Sequence, residues 1–403
     1  MFDALAGVTV LEYAGFVSGP YCGKLLAEMG ATVLKVEEPV RGDPARRYGP
    51  FPSGIPHREK SGLFLFLNTN KQSVTLNPTS PTGRDLFLRL AAKTIILIED
   101  RRPGEMAEMG LDYPKLKESN PGLVQVSITP YGQDGPKASW KANHINTFHA
   151  SGEGYTLPGG MTNALFPERG PVAGGVHLGE YDAGLMAASA AVAALLAREA
   201  SGAGQQVDIS KQEAIMGLSR LGMAQSMGQG IVYDRSRSYE YGGIFGCRDG
   251  YVILYPREDS QWKALAEIMG RPELAEDARF RTRPARIENG AAINLVLSEW
   301  ASGQGKEEIY YQVAPSGCPT AFFSTPENAH HSPQFEAREF FEDVTHPMAG
   351  TLRHPGRPYR FGAGGRPDTK PAPTLGQHNE KILCGELGLA PQELSRLGRG
   401  GTI

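Results

Sequence analysis

The chain has no run of about 18 apolar residues, the length that a membrane-spanning helix needs, so no membrane span is expected. Its first residues lack a charged segment followed by an apolar stretch, so we expect no signal peptide. Cysteine is scarce: the 4 cysteines are far apart, with no CxxC pair and no histidine at metal-ligand spacing. We therefore expect reduced thiols, no bound metal ion and a cytoplasmic location.

The chain also lacks an excess of basic residues, since 41 Lys and Arg stand against 44 Asp and Glu. A general nucleic-acid binder needs such an excess to neutralise phosphates, so this class is disfavoured. Two nucleotide-binding patterns are missing as well, the GxGxxG fingerprint and the GxxxxGK[ST] phosphate loop. The absence of the first argues against a nicotinamide-dependent dehydrogenase.

Short β-branched runs alternate with amphipathic segments in the first half, which predicts an α/β fold with a parallel, doubly wound sheet. The expected strands cover residues 8–12, 32–36, 94–98, 123–128 and 206–209, and a long buried helix covers 182–200. The expected division of the chain is a large domain over 1–200, a linker over 201–224, a smaller α+β domain over 225–325, and a return linker with the C-terminal part of the large domain over 326–403.

The predicted strands end in Gly-rich or basic segments. The turn 14–20 (AGFVSGP) precedes a helix, where backbone N–H groups can bind an anion. Lys35 lies at the end of the second strand, and the segment 99–104 (EDRRPG) follows a later one. Ligands of open α/β sheets bind at the carboxyl ends of the strands, so this pattern favours a polyanionic nucleotide. Each segment taken singly is also compatible with a tight turn or a solvated loop.

Two carboxylates stand at the start of the long helix, in the segment 175–184 (GVHLGEYDAG). Acidic residues are favoured at a helix N-terminus, so Glu180 or Asp182 could simply cap the helix. The alternative is a nucleophile, because a carboxylate can attack a thioester and form a mixed anhydride.

Taken in order, these segments resemble the family III CoA-transferases of the CaiB/BaiF type, over residues 5 to 390. This family includes formyl-CoA, carnitine and benzylsuccinate CoA-transferases, with α-methylacyl-CoA racemase as a divergent relative. The segments that carry the resemblance are 34–39 (LKVEEP), 68–74 (NTNKQSV), 99–104 (EDRRPG), 120–124 (NPGLV), 131–136 (YGQDGP), 204–210 (GQQVDIS), 249–252 (DGYV), 270–274 (GRPEL) and 371–378 (PAPTLGQH).

The resemblance implies a Rossmann-like large domain built from both chain ends, a smaller middle domain, and an interlocked dimer, either of two copies or with a paralogous subunit. It implies CoA, acyl-CoA and a carboxylic acid as substrates, with no permanently bound cofactor. The site residues that it implies are Glu180 for catalysis, Val17, Ser18, Lys35, Asp100, Arg102, Met109 and Lys141 for CoA binding, and His144, Phe148 and Tyr241 for the acyl pocket. The mixed polar and aromatic pocket favours a hydrophobic or aromatic acid.

One departure from the family concerns the nucleophile, which is an aspartate there and Glu180 here. Glutamate carries the same group displaced by about one ångström, and a misplacement of that size can cost about 100-fold in rate. Either Glu180 forms the covalent intermediates, or the chain is the non-catalytic partner in a two-subunit transferase. An isomerase or racemase is a further alternative, disfavoured because Asn143 and His144 stand where the racemases have His and Asp.

Overall fold

The computed structural model describes residues 3–157, 167–218, 226–230, 240–362 and 368–403. Backbone contacts divide the chain into two compact units. The first unit comprises Met1–Gly154, Ala173–Ala224 and Glu339–Ile403, and so draws on both chain ends. The second comprises Tyr155–Val172 and Gln225–Arg338.

A six-stranded sheet forms the centre of the first unit, and every pair of neighbouring strands is parallel, which confirms the predicted parallel sheet. In chain order its strands β1 to β6 are Thr9–Tyr13, Thr32–Glu37, Lys71–Thr75, Ile96–Glu99, Val124–Thr129 and Gln206–Ser210. The order across the sheet is β3-β2-β1-β4-β5-β6. The strand order reverses between β1 and β4, and ligands of open α/β sheets bind at such a switch point.

Helices cover the sheet. In chain order α1 to α8 are Ser18–Glu28, Gly62–Leu67, Pro81–Ala91, Glu105–Glu108, Tyr113–Ser119, His144–Ala150, Leu178–Ser201 and Lys211–Met216. Short 3₁₀ turns lie at Pro44–Arg47, Pro52–Gly54 and Glu153–Thr156.

Helix α7 begins four residues earlier than expected, at Leu178. Its buried face carries alanines at helical spacing that join the core beside β4 and β5, at positions 183, 187, 191 and 194. Within the described residues it is the one helix long and apolar enough to cross a membrane. The alanine face accounts for that composition, because it is buried against the sheet.

Strand β3, which the sequence pattern did not predict, is an edge of the sheet and is covered by the far end of the chain. The backbone N–H of Ser73 donates to Nδ1 of His378 (3.1 Å), and the N–H of His378 donates back to the Ser73 carbonyl (2.9 Å). Thr75 donates its N–H to the side chain of Asn379 (2.9 Å). These bonds satisfy edge groups that would otherwise be unpaired. The C-terminal segment around His378 thus covers this edge of the sheet.

The rest of the first unit is a β10-β11 hairpin (Phe341–His346 and Gly350–Pro355), a π-helix (Glu380–Glu386) and a terminal helix, Pro391–Arg399. The second unit contains an antiparallel sheet of β7 (Gly243–Cys247), β8 (Gly250–Leu254) and β9 (Thr320–Phe322). Its helices are Asp259–Ile268, Glu273–Glu276, Arg283–Glu288, Gly290–Ser302, Lys306–Val313, Pro326–His330 and Pro333–Ala337, with a 3₁₀ turn at Ala314–Ser316. They enclose a separate core around Trp262 and Phe280.

Candidate active site

Glu180 lies in the first turn of α7 and is only 5% exposed. The chain enters this helix through two consecutive non-glycine residues in the left-handed region, Val176 (φ 47°) and His177 (φ 63°). Such conformations cost about 1–3 kcal/mol each and persist only where the surrounding structure enforces them, often at functional sites. The strained backbone at Val176 and His177 therefore helps to fix the position of Glu180 at the start of α7.

Two donors from different elements converge on one oxygen of the Glu180 carboxylate. Lys211, the first residue of α8, places Nζ 2.6 Å from Oε2, and its side chain is 17% exposed. Ser18, the first residue of α1, is 1% exposed and donates its hydroxyl to the same Oε2. Among the described residues no hydrogen bond reaches the second oxygen, Oε1. The carboxylate is therefore paired, as a buried charge must be, but one of its oxygens is open.

Two glycines bring these helices close enough for the contacts to form. Gly184 lies one turn after Glu180 on the same face of α7, and a Cβ there would lie 2.6 Å from the carbonyl oxygen of Ser18. Gly179 faces α8, where a Cβ would lie 2.4 Å from Cδ1 of Ile215. Gly179 and Gly184 thus both bear on the position of Glu180.

A row of aromatic rings adjoins the Glu180 turn. His177 lies edge-on to Phe16 (ring centroids 4.8 Å apart) and to Tyr48 (5.3 Å), and 6.1 Å from His144, which in turn lies 5.4 Å from Phe148. Burial lowers the pKa of His177, and His144 adds to this effect, so the ring is neutral at pH 7. Nδ1 of His144 is buried without a hydrogen-bond partner in the described part of the chain. The row therefore combines apolar faces with an unused polar atom.

Lys35, at the end of β2, belongs to a buried cluster of ion pairs. Its Nζ lies 2.8 Å from Oε1 of Glu12, 2.6 Å from Oδ2 of Asp43 and 2.8 Å from the Ala14 carbonyl, and the side chain is fully buried. Lys71 contacts the other oxygen of Glu12 at 2.8 Å. Burial alone would lower the pKa of Lys35, but Asp43 and Glu12 raise it. The ammonium group is thus surrounded by three oxygens of the protein and has no exposed surface for the phosphate contact expected from the sequence.

A cleft of about 520 Å³ opens at the carboxyl ends of the central strands. Tyr13, Pro39, Asn77 and Arg101 are among its lining residues. The guanidinium of Arg101 stacks on the Tyr13 ring, 4.8 Å from its centroid, and pairs with Asp100 at 2.5 Å. The strand order reverses at this edge, which is where the sequence pattern places a nucleotide.

Beside this cleft, exposed Val40 borders a second depression lined by three arginines, Arg41, Arg47 and Arg58. Arg47 donates to the Arg41 carbonyl (2.9 Å), and Arg58 is 3.6 Å from Glu59. Unlike Lys35, these side chains are in contact with solvent. The patch therefore supplies the accessible positive charge that the buried lysines do not.

The other predicted site residues are dispersed. Val17 is fully buried at the start of α1, while Oδ2 of Asp100 accepts the Gly15 N–H at 2.9 Å and so fixes the turn before it. Arg102 is exposed and pairs with Glu105 at 3.3 Å, and Lys141 is exposed just before α6. Met109 is 9% exposed and packs in the core.

Tyr241 lies in the core of the second unit and is 3% exposed. Its hydroxyl donates to the Arg257 carbonyl at 3.3 Å and accepts from Arg286 at 3.3 Å. This environment is that of a structural tyrosine, in contrast to the pocket role expected from the sequence. Asn143, which stands at the racemase histidine position, begins α6 with a capping box completed by Asn146.

Lys211 was not predicted, although a signal for it exists in the sequence. It directly follows β6, so it stands at the same end of the sheet as Lys35 and Arg101. A basic residue at or directly after a strand end is the same signal that marks Lys35 and Arg101. Its contact with Glu180, 31 residues away, depends on how α7 and α8 pack and has no local pattern.

The family model for CoA-transferase family III matches residues 5–379. The succinyl-CoA–D-citramalate CoA-transferase of Chloroflexus aurantiacus is 33% identical over 402 residues, which cover 98% of this chain and 96% of that protein. The succinyl-CoA–L-malate CoA-transferase alpha subunit of Chloroflexus aurantiacus is 31% identical over 401 residues, which cover 98% and 91%. The crystal structure of a CaiB/BaiF family protein from Brucella suis superimposes with a TM-score of 0.85 and 28% identity, covering 96% of this chain and 100% of that one. The chain therefore belongs to CoA-transferase family III and is a CoA-transferase.

Proposed function

We propose that the chain transfers CoA from a short, polar acyl-CoA to a free carboxylic acid, with Glu180 as the nucleophile. The observation that carries this proposal is the asymmetric setting of Glu180: Oε2 is held by Lys211 and Ser18, while Oε1 accepts no hydrogen bond from the part of the chain that the structure describes. An oxygen of this carboxylate that no group in the described part of the chain occupies is available to attack a substrate.

The reaction proceeds by double displacement. Oε1 of Glu180 attacks the carbonyl carbon of the donor thioester, and CoA leaves as a thiolate, which gives a mixed anhydride. The thiolate then attacks the glutamyl carbon, releases the donor acid and forms a glutamyl-CoA thioester. The acceptor acid reverses these steps and leaves as its CoA thioester. Each step conserves the activation of an acyl group, so the reaction needs no further cofactor, with CoA and acyl-CoA acting as substrates.

The longer side chain of glutamate is accommodated by the surrounding helices. Gly184 lets Ser18 approach α7, and Lys211 reaches the carboxylate from α8. The displacement of about one ångström relative to aspartate is thus matched by donors that reach Oε2. This pairing favours a catalytic Glu180 over the silent-subunit alternative, in which the side chain would be free to lose its partners.

CoA is proposed to occupy the cleft at the strand ends, with its phosphates against Arg41, Arg47, Arg58 and Lys141. The accessible charge of the arginine patch supports this placement, whereas Lys35 would act indirectly by holding the loop that carries Asp43. Charge-assisted hydrogen bonds contribute roughly 1.5–3 kcal/mol each, so Arg47→Ala should weaken CoA binding about tenfold. Titration calorimetry measures this, with exposed Arg338→Ala as the matched control. Unchanged affinity in Arg41, Arg47 and Arg58 variants would place the phosphates elsewhere.

The acids exchanged are proposed to carry a second polar group. The two relatives above are named for citramalate and malate, which have two carboxylates each. Nδ1 of His144, which has no hydrogen-bond partner among the described residues, supports such a substrate because it offers a hydrogen bond to a polar group. This proposal replaces the expectation of an aromatic acid such as benzylsuccinate, which rested partly on Tyr241.

We propose that the chain assembles with a second subunit, for two reasons. Helix α7 exposes Leu185 (51%), Met186 (45%) and Leu196 (62%), an apolar surface that a second subunit would cover. One relative is named as an alpha subunit, so the partner is either a second copy, interlocked as the resemblance implies, or a paralogue. The chain should not exist as a stable 43.5 kDa monomer in the cytoplasm, and light scattering at micromolar concentration tests this.

The decisive test of function is Glu180→Gln, which is nearly isosteric but not nucleophilic. Exchange between succinyl-CoA and malate or citramalate should fall to background, while folding and CoA binding persist. Asp182→Asn, on the same helix, is the matched control and should remain active. Hydroxylamine or borohydride trapping during turnover should modify the peptide that contains Glu180. A complex whose rate survives Glu180→Gln and whose label lies on a partner chain would show that this chain is the silent subunit.

A further inference from the structure

The two donors on Oε2 of Glu180 are placed for a step later than the first attack. Lys211 and Ser18 contact the oxygen that does not attack the donor thioester. A cation on a carboxylate makes that carboxylate less nucleophilic, so this contact does not favour formation of the anhydride. Its effect must therefore be sought where Oε2 gains charge.

Oε2 gains charge when the glutamyl carbon is attacked. After the first step Oε1 is the bridging oxygen of the anhydride, and Oε2 is the carbonyl oxygen of the glutamyl group. The CoA thiolate then forms a bond to Cδ, and the electron pair of the carbonyl moves onto Oε2. The tetrahedral species collapses when the bond between Cδ and Oε1 breaks, and the donor acid leaves as a carboxylate that carries Oε1. One negative charge enters with the thiolate and leaves with the carboxylate, so no proton needs to move.

We propose that Lys211 and Ser18 form an oxyanion hole for this attack on the glutamyl carbon, a role that rests on the proposed nucleophilic function of Glu180. The transient full charge on Oε2 would lie against an ammonium group and a hydroxyl that are already in place. Such preorganised donors stabilise a transition state because their interaction strengthens as the charge localises. The same pair would serve the return step, when the acceptor acid attacks glutamyl-CoA at the same carbon.

The surroundings of Lys211 favour this role over that of a surface counter-ion. Its side chain is 17% exposed and Ser18 is 1% exposed, so solvent screens neither contact strongly. Both residues are the first of their helices, α8 and α1, and are fixed by backbone elements rather than by loops. Lys211 also balances the charge of buried Glu180, and an experiment must separate this structural effect from catalysis.

A single-turnover measurement makes this separation. The enzyme is mixed with succinyl-CoA in the absence of an acceptor acid, and the growth of the CoA adduct on Glu180 is followed by quenching and intact mass analysis. Lys211→Met keeps the aliphatic stem and removes the charge, and should slow the adduct by about 10²–10³-fold. The affinity for CoA should stay unchanged. Lys263→Met, an exposed lysine in the second unit, is the matched control and should form the adduct at the wild-type rate.

Two further variants keep the test decisive if Lys211→Met does not fold. Lys211→Arg keeps the charge and Lys211→Gln keeps only a neutral donor, so the first should form the adduct at least about tenfold faster than the second. Equal rates for Arg and Gln, or a wild-type rate for Met, would overturn the oxyanion role alone. Absence of any adduct on Glu180 in the wild-type enzyme would instead overturn the proposed function, and this inference with it.

Discussion

Two of the lysine–carboxylate clusters in the first unit differ in how many carboxylate oxygens are occupied. In the cluster at the ends of β1 and β2, Lys35 and Lys71 contact one oxygen each of Glu12, while Asp43 accepts Lys35 on one oxygen and two backbone N–H groups on the other. At the start of α7, Glu180 has two donors on one oxygen and none from the described residues on the other. The chemical groups are the same, but the first cluster is closed by ion pairs on every carboxylate, whereas the second keeps one oxygen for the nucleophilic role that we propose for Glu180.

The largest expected effect on stability follows from removing a cation from the buried cluster of Lys35, Lys71, Glu12 and Asp43. Lys35→Met leaves Glu12 and Asp43 buried with an unmatched charge, and loss of one partner of a buried pair costs about 3–5 kcal/mol. We expect the free energy of unfolding to fall by this amount in urea denaturation. The solvent-exposed pair of Lys115 and Glu118 (2.5 Å) supplies the control, because Lys115→Met should change stability by less than about 1 kcal/mol. Equal effects of the two substitutions would contradict the structural role of the cluster.

A third buried carboxylate, Glu99 at the end of β4, should make the stability of the protein depend on pH. Glu99 is 2% exposed, and burial raises its pKa from 4.5 to about 7, although hydrogen bonds from the Ser127 side chain and the Arg101 N–H (2.8 Å) oppose this shift. The folded protein then holds this proton more tightly than the unfolded chain does. The stability that protonated Glu99 contributes is complete below pH 4.5 and is lost as the pH rises through 7.

This loss amounts to about 3 kcal/mol, at ~1.4 kcal/mol for each pKa unit. Glu99→Gln cannot ionise, so its free energy of unfolding should exceed that of the wild type at pH 8 by about this amount and match it near pH 4. Denaturation curves at the two pH values measure the difference. A gap between variant and wild type that does not change with pH would show that Glu99 is not held protonated by burial.

The smallest expected effect tests the geometry of the open site. In Gly184→Ala the new Cβ would lie 2.6 Å from the Ser18 carbonyl oxygen, so α1 must move away from α7. Ser18 then withdraws from Glu180, and a shift of about one ångström should lower the exchange rate by about 100-fold. CoA binding should persist. Gly385→Ala, where a Cβ would meet open space, is the matched control, and a similar loss there would point to a general effect of the extra methyl group.

The parallel sheet could be predicted because its strands carry unambiguous local patterns. β4 (ILIE) is buried at every residue and begins with an apolar run, and β5 (VQVSIT), also buried throughout, is rich in β-branched residues. β3 escaped prediction because its sequence, KQSVT, is mostly polar, and its burial comes from the C-terminal segment that covers it. Because the covering segment is so distant in the sequence, the residues near β3 show no periodic pattern that would indicate its burial.

Glu180 and Ser18 could be predicted as site residues because each lies in a distinctive turn before a helix. Their contact with each other could not be predicted, because it depends on how α1 and α7 pack. The position after a strand is basic both in phosphate sites and in buried clusters, so the sequence alone does not decide between these two roles for Lys35. Only the presence of Glu12 and Asp43 within contact distance distinguishes the two. Lys211 depends on the packing of α7 against α8, which is a property of tertiary structure.

The cover of β3 has a consequence for how the protein is made. Ser73 and His378 are 305 residues apart, so a chain leaving the ribosome presents the β3 edge long before its cover has been synthesised. At roughly 5–20 residues per second, that interval lasts about 15–60 s. Throughout it the nascent sheet carries an unpaired edge of the kind that joins other strands. Chains stalled or truncated ahead of His378 should therefore aggregate or recruit chaperones, even though the strands of the sheet, the two helices that hold Ser18 and Lys211, and Glu180 itself have all been made.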